Sequence, residues 1–233
     1  SRDDDIYEAF PDVALTPSGR LVCVFSECTH HSDRSYTRIM VSTSDDRGRT
    51  WSTKRPITEA RRGDPDVDPY WNCARIALLS DGRLAVSVDR PTHRNETGER
   101  RVAENFLLFS EDEGETWTEP TLTPVRGIVP DRLLELQHGE HAGRWVLSAH
   151  LIVAHGDEKR WAERCWLSDD RGATWRGPFT VAEQPGLQLC EGNVIELPGG
   201  ELVCLLRENS GLGRDGYKRS EEHTSELQSL LII

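Results

Sequence analysis

The chain has 233 residues, 36% of them hydrophobic, with 40 acidic against 28 basic side chains and a formal net charge of −12. Such acidity argues against nucleic acid as a partner, because the summed field repels phosphate, and no apolar run approaches the roughly 20 residues of a membrane-spanning helix. Six cysteines in a chain of this length do not make a small disulfide framework, and no secretory leader is visible, which leaves the compartment open.

From the N-terminus, Val13 to Leu15 reads as a strand, Pro17-Ser18-Gly19 as a turn, and Leu21 to Phe25 as a second, apolar strand. A loop from Glu27 to Ser35 follows, then a third strand over Thr37 to Val41. Next comes a turn signature, Ser44, Asp46, Gly48, Thr50 and Trp51, and a last short strand. The same order returns. Ser80-Asp81-Gly82 precedes Leu84 to Val88 and a second signature at Ser110, Asp112, Gly114, Thr116 and Trp117. Trp145 to Leu147 then precedes a third at Ser168, Asp170, Gly172, Thr174 and Trp175, and Pro198-Gly199-Gly200 precedes Leu202 to Leu206. The signatures lie 66 and 58 residues apart, so one unit takes about 60 residues.

Each S-x-D-x-G-x-T-W box has a structural logic. The Asp side chain bonds backbone groups of a tight turn, Gly supplies a positive φ, and Trp packs on the hairpin. The short apolar runs suit strands buried on both faces, with Cys23 and Cys204 as buried thiols at equivalent positions. Four antiparallel strands per unit, stacked face to face, describe an all-β propeller blade.

The C-terminus stands apart. Residues 219–233 begin Arg-Ser-Glu-Glu-His-Thr-Ser-Glu-Leu-Gln-Ser, which matches the translation of a sequencing adapter residue for residue. The other possibility, a genuine charged tail ending in Leu-Leu-Ile-Ile, stays open on physical grounds. With Arg219, Glu221, Glu222 and Glu226 set aside, the net charge is −10. Residues 1–218 then form a partial propeller domain. A fourth unit reaches Gly216-Tyr217-Lys218, where its third strand should lead to a fourth box. The expectation is about three and a half blades, where six would need roughly 360 residues. End blades would then expose unpaired edges and an uncovered apolar face.

The boxes, together with Cys190-Glu191-Gly192-Asn193-Val194-Ile195-Glu196-Leu197-Pro198 and Leu205-Leu206-Arg207, resemble the sialidase (neuraminidase) superfamily of BNR/Asp-box propellers. The resemblance covers residues 6 to 218. It implies a six-bladed propeller with its active site at the mouth of the central channel. An arginine triad there clamps the carboxylate of sialic acid. That carboxylate would repel an anionic nucleophile, so a neutral Tyr, activated by a Glu, attacks instead. A loop Asp serves as acid and base.

By position the resemblance makes Glu191 the activating Glu, at the start of the fourth inner strand; a buried carboxylate there needs a partner, and the alternative is a structural Glu. Arg207 matches the second triad arginine, or is a surface Arg paired with Glu208 or Asp215. The first triad position departs from the family, because Ala9-Phe10-Pro11 stands where Arg-Ile-Pro is usual. Arg75, in Cys73-Ala74-Arg75-Ile76, is either a compensating cation for substrate binding or a structural Arg against Asp12. Asp33 is the acid/base candidate, or a solvated loop residue beside His30 and His31. Asp64, Asp66 and Asp68 lack the Gly and distal Glu of an EF-hand and read as a solvated loop. The Tyr and third Arg would lie in later blades, and no metal or cofactor is expected. Two functions stay open: a sialidase-like exo-glycosidase acting on glycans with a terminal acidic sugar, and a non-catalytic propeller for glycan binding or protein interaction.

Overall fold

The computed structural model describes residues 6–91, 103–155, 158–209 and the backbone of 229–232. The fold is all-β, built of antiparallel meanders in which sequence neighbours pair, with one short 3-10 turn among the described residues, at Gly139–His141. No helix among the described residues is long and apolar enough to cross a membrane. The chain falls into two compact units, residues 1–133 and 134–233.

In the first unit, β1 (Tyr7–Leu15), β2 (Leu21–Cys28), β3 (Tyr36–Ser44) and β4 (Arg55–Pro56) form one sheet, with β5 (Arg61–Arg62) also pairing β3. Its second sheet runs β6 (Ala74–Leu78), β7 (Leu84–Arg90), β8 (Glu104–Ser110) and β9 (Thr121–Arg126). One apolar core joins the two sheets, with Val22, Val24, Ile39 and Val41 from the first and Ile76, Leu84, Val86 and Leu108 from the second. In the second unit, β10 (Leu134–Glu135), β11 (Trp145–His155), β12 (Glu158–Ser168) and β13 (Arg176–Glu183) precede a sheet of β14 (Leu189–Glu196), β15 (Leu202–Glu208) and β16 (Ser229–Ile232). Val181, Ala182, Leu189, Val194, Cys204 and Leu206 form one buried apolar cluster of this unit.

The strands expected from turn signals and apolar runs are present, and each extends further than the run that marked it. The expectation of burial on both faces holds for β7, buried from Leu84 to Asp89, but not for β2, which alternates. Val13 and Leu15 remain 51% and 59% exposed on β1, and Cys23, their neighbour on that face, is half-buried where a buried thiol was expected. Cys204 is buried as expected, and none of the six cysteines is in a disulfide. The segment set aside as adapter-like contributes β16, paired to β15 from Val203 to Leu206; Gly216 to Lys218 lie outside the described residues.

The boxes are turns held by their own side chains. In the first, the Ser44 hydroxyl donates to Asp46 Oδ1 at 2.9 Å and accepts the Gly48 N–H at 2.8 Å. Asp46 also takes the Thr50 N–H at 2.8 Å and the Thr50 hydroxyl at 2.6 Å. The second and third boxes repeat this network. Each turn carries two successive left-handed residues, Arg47-Gly48, Glu113-Gly114 and Arg171-Gly172, the geometry of a type I′ hairpin. The second box also docks on the first sheet. Glu113 accepts the Ser18 hydroxyl at 2.5 Å, Glu115 accepts Arg20 at 2.5 Å, and Arg55 donates to the Gly114 and Glu115 carbonyls.

A Cβ on Gly114 would lie 2.9 Å from Val22 Cγ1, whereas one on Gly82, at a similar φ, would meet nothing within 4 Å. Both Gly→Ala changes carry the left-handed penalty of roughly 1–2 kcal/mol, and Gly114→Ala adds a clash. Denaturant unfolding should therefore rank Gly114→Ala as clearly the more destabilising. Thr50 holds the Asp46 carboxyl at about 2, below its ordinary 3.8. Stability from that depressed group is present above pH 4 and lost as pH falls through 2. Melting temperatures between pH 4 and 2 should fall less steeply for Asp46→Asn than for wild type, from a lower value at pH 7.

Candidate functional site

In the second unit, β14 begins with a bulge. Cys190 pairs with Arg207 and Asn193 with Leu205, so three residues advance on β14 against two on β15. Glu191 occupies the bulge with φ 53°. There its two carboxylate oxygens each lie 3.0 Å from Arg207 Nη1, and Arg207 Nη2 donates to Asn209 Oδ1 at 2.9 Å. The expectation of a buried carboxylate is corrected, since the Glu191 and Arg207 side chains are 38% and 45% exposed. A pair so open to water contributes little to stability, of order 0–1 kcal/mol, and both groups are within reach of a solute.

Behind this pair lie two buried groups that strand-by-strand sequence reasoning missed. The Glu191 N–H donates to His150 Nδ1 at 3.2 Å, and the Gly192 N–H donates to Glu163 Oε2 at 3.3 Å. His150 on β11 and Glu163 on β12 are direct cross-strand partners, and His150 stacks on Trp161 with centroids 5.5 Å apart. An apolar run stopping at Leu147 did not reach His150; the available signal was that apolar residues resume beyond it, at Leu151 to Val153.

Asp33 and Arg75 belong to the first unit. Asp33 closes a tight turn with His30 through backbone bonds, and its Oδ1 takes the Ser35 N–H at 2.8 Å. That N–H holds the Asp33 carboxyl below its ordinary value, which opposes a general-acid role, since an acid at neutral pH needs a raised one. His30 and His31 both pack near Tyr7. Arg34, another residue sequence reasoning passed over, is buried beside them, with Nη1 3.1 Å from Cys28 Sγ and its guanidinium over the Phe10 ring. The Asp12 carboxylate accepts the Ile76 N–H at 3.0 Å, not the Arg75 guanidinium. Arg75 makes no hydrogen bond or ion pair among the described residues, so the two first-unit candidates are not joined.

A Tyr–carboxylate pair is present in the first unit: the Tyr36 hydroxyl donates to Glu27 Oε1 at 2.6 Å, and Lys54 lies 2.7 Å from Glu27. Burial and the Glu27 bond push the Tyr36 phenol up, the wrong direction for a nucleophile. The carboxylates of Asp64 and Asp68 bond backbone N–H groups of their own turn. Among the described residues no group of three or more His, Cys, Asp or Glu is placed to hold a metal ion. Burial pushes the Cys190 thiol up to about 12 and Cys165 to about 11. Since the thiolate is the reactive form, iodoacetamide at pH 8 should leave both unmodified in the native protein and alkylate both after unfolding, as read by peptide mass spectrometry.

The chain is similar to a sialidase from Paraclostridium sordellii, 24% identical over 69% of this chain and 40% of the relative. It is also similar to a sialidase from Clostridium perfringens, 21% identical over 84% of this chain and 52% of the relative. Thus it spans about half the length of these curated relatives, or less. A solved structure of a protein of unknown function from Dyadobacter fermentans superposes with a TM-score of 0.71, at 22% identity, over 91% of this chain and 65% of that one. The BNR repeat-like domain family matches residues 18–230, across all three boxes and the Glu191–Arg207 bulge; the chain belongs to this family, within the sialidase (BNR) superfamily.

Proposed function

We propose that the protein is a sialidase-like exo-glycosidase that releases a terminal sialic acid or related acidic sugar from glycans, on a six-bladed propeller to which this chain contributes part. The observation that carries the proposal is the exposed Glu191–Arg207 pair on a left-handed bulge at the start of an inner strand. Arg207 has the geometry to clamp a sugar carboxylate through charge-assisted hydrogen bonds. Such a carboxylate would displace Glu191 from Nη1 and leave Glu191 free to take a proton from a neutral hydroxyl nucleophile. That nucleophile is a Tyr outside the described residues; Tyr36 is committed to Glu27, which Lys54 also holds. The sialidase names of the two curated relatives agree with this chemistry.

A second function, glycan binding without turnover, is favoured by two observations in the first unit. Ala9 is buried where a clamping arginine is expected, and Asp33 is an acidic turn residue with a lowered carboxyl. Turnover of fluorogenic sialosides and uronosides by the full-length protein separates the two. Glu191→Gln should reduce kcat by at least roughly 100-fold, at the scale of general-base catalysis, while leaving acidic-sugar binding intact. Arg207→Met should weaken that binding by about 10- to 100-fold, the equivalent of one charge-assisted hydrogen-bonding group. A wild-type protein that binds acidic sugars and turns none over would establish the second function.

A further inference from the structure

We propose that His150 and Glu163 are positioning residues whose shared task is to hold the Glu191 bulge and so aim the Glu191 carboxylate at Arg207. The inference rests on Glu191 and Arg207 forming an acidic-sugar site. A bulge lifts successive backbone N–H groups off the ladder, and a buried N–H without an acceptor costs about as much as a lost hydrogen bond. Here two consecutive N–H groups, of Glu191 and Gly192, are taken one each by His150 and Glu163, which face one another across β11 and β12. An Nδ1 that accepts carries no proton, so the neutral ring bears its proton on Nε2, and stacking on Trp161 fixes the ring plane.

Glu163 is fully buried, and burying a carboxylate is costly unless its bonds repay it. The fold does not require one there. The same register position of the first sheet, counted back from the box serine, is Ile39. Gly192 is matched to the carboxylate, since a Cβ on it would lie 2.6 Å from Glu163 Cδ. The first sheet has the same bulge, with Phe10 at φ 56°, but Pro11 stands in the Gly192 position and has no N–H to satisfy. The costly pair occurs where the bulged residue is Glu191.

The test uses the full-length protein with His150→Leu and Glu163→Leu, which remove the acceptors. His150→Asn and Glu163→Gln, which keep an oxygen acceptor near the same place, are the conservative counterparts. The Leu variants should speed amide exchange about tenfold at Glu191 and Gly192 respectively, the worth of one hydrogen bond. They should also lower kcat for a fluorogenic sialoside by roughly 100-fold, as an ångström of misplacement does, with KM little changed, and Asn and Gln should restore both readouts. Should a Leu variant fail to fold, Gly192→Ala displaces the Glu163 carboxylate and should show the same kcat loss. Turnover that survives the Leu variants or Gly192→Ala but is abolished by Glu191→Gln overturns the positioning role alone. Turnover that survives Glu191→Gln overturns the site assignment and this inference with it.

Discussion

Every backbone N–H that leaves a strand ladder inside this protein has to find another acceptor, and much of the polar architecture follows from that constraint. The box turns meet it locally: Ser44 and Asp46 together take the N–H groups of Gly48 and Thr50 within one turn. The bulge at Glu191 cannot, because its freed N–H groups face the preceding sheet, and its acceptors come from β11 and β12. The constraint thereby couples a residue open to solvent to a buried pair more than 25 positions earlier in the chain.

The polar positions recur in register. Counting five residues along the second strand of each sheet, from the residue opposite the end of the inner strand, gives Ser26, Asp89, His150 and Arg207. Ser26 donates to the Asn72 carbonyl. Asp89 accepts the Cys73 N–H at 2.8 Å and the Val129 N–H at 3.1 Å, and burial pushes its carboxyl up. His150 takes Glu191. Of these four only Arg207, at the same rung of the last sheet, holds its charged end in solvent. One position of a repeated strand has thus been used three times for joining backbone segments and once for an exposed guanidinium.

What the sequence disclosed follows the range of the forces involved. The boxes and turns were legible because their hydrogen bonds close within a few residues, so spacing alone located the strands and the inner-strand starts. Glu191 and Arg207 were legible by position but not by environment. The expectation of a buried carboxylate failed because the bulge turns Glu191 toward Arg207 and water. His150 and Glu163 were not legible, since their meaning depends on a strand pairing and a neighbouring bulge far away in sequence. Cys23 and Cys204 share a register position yet differ in burial, because burial there depends on what covers the sheet face, which no local pattern encodes.

The two bulges show how one backbone distortion can serve different chemistry. At Ala9-Phe10-Pro11 the second N–H is absent by covalent structure, and Arg34 covers the Phe10 ring. At Cys190-Glu191-Gly192 that N–H is present and is bonded by a buried carboxylate. Proline is the cheaper solution, since it removes a donor and fixes φ without burying charge. Glycine leaves room for Glu163 to approach the chain closely, and its cross-strand partner His150 accepts the N–H of Glu191. The costlier arrangement therefore constrains the orientation of Glu191 from two sides, while the proline version holds an aromatic residue without burying a carboxylate behind it.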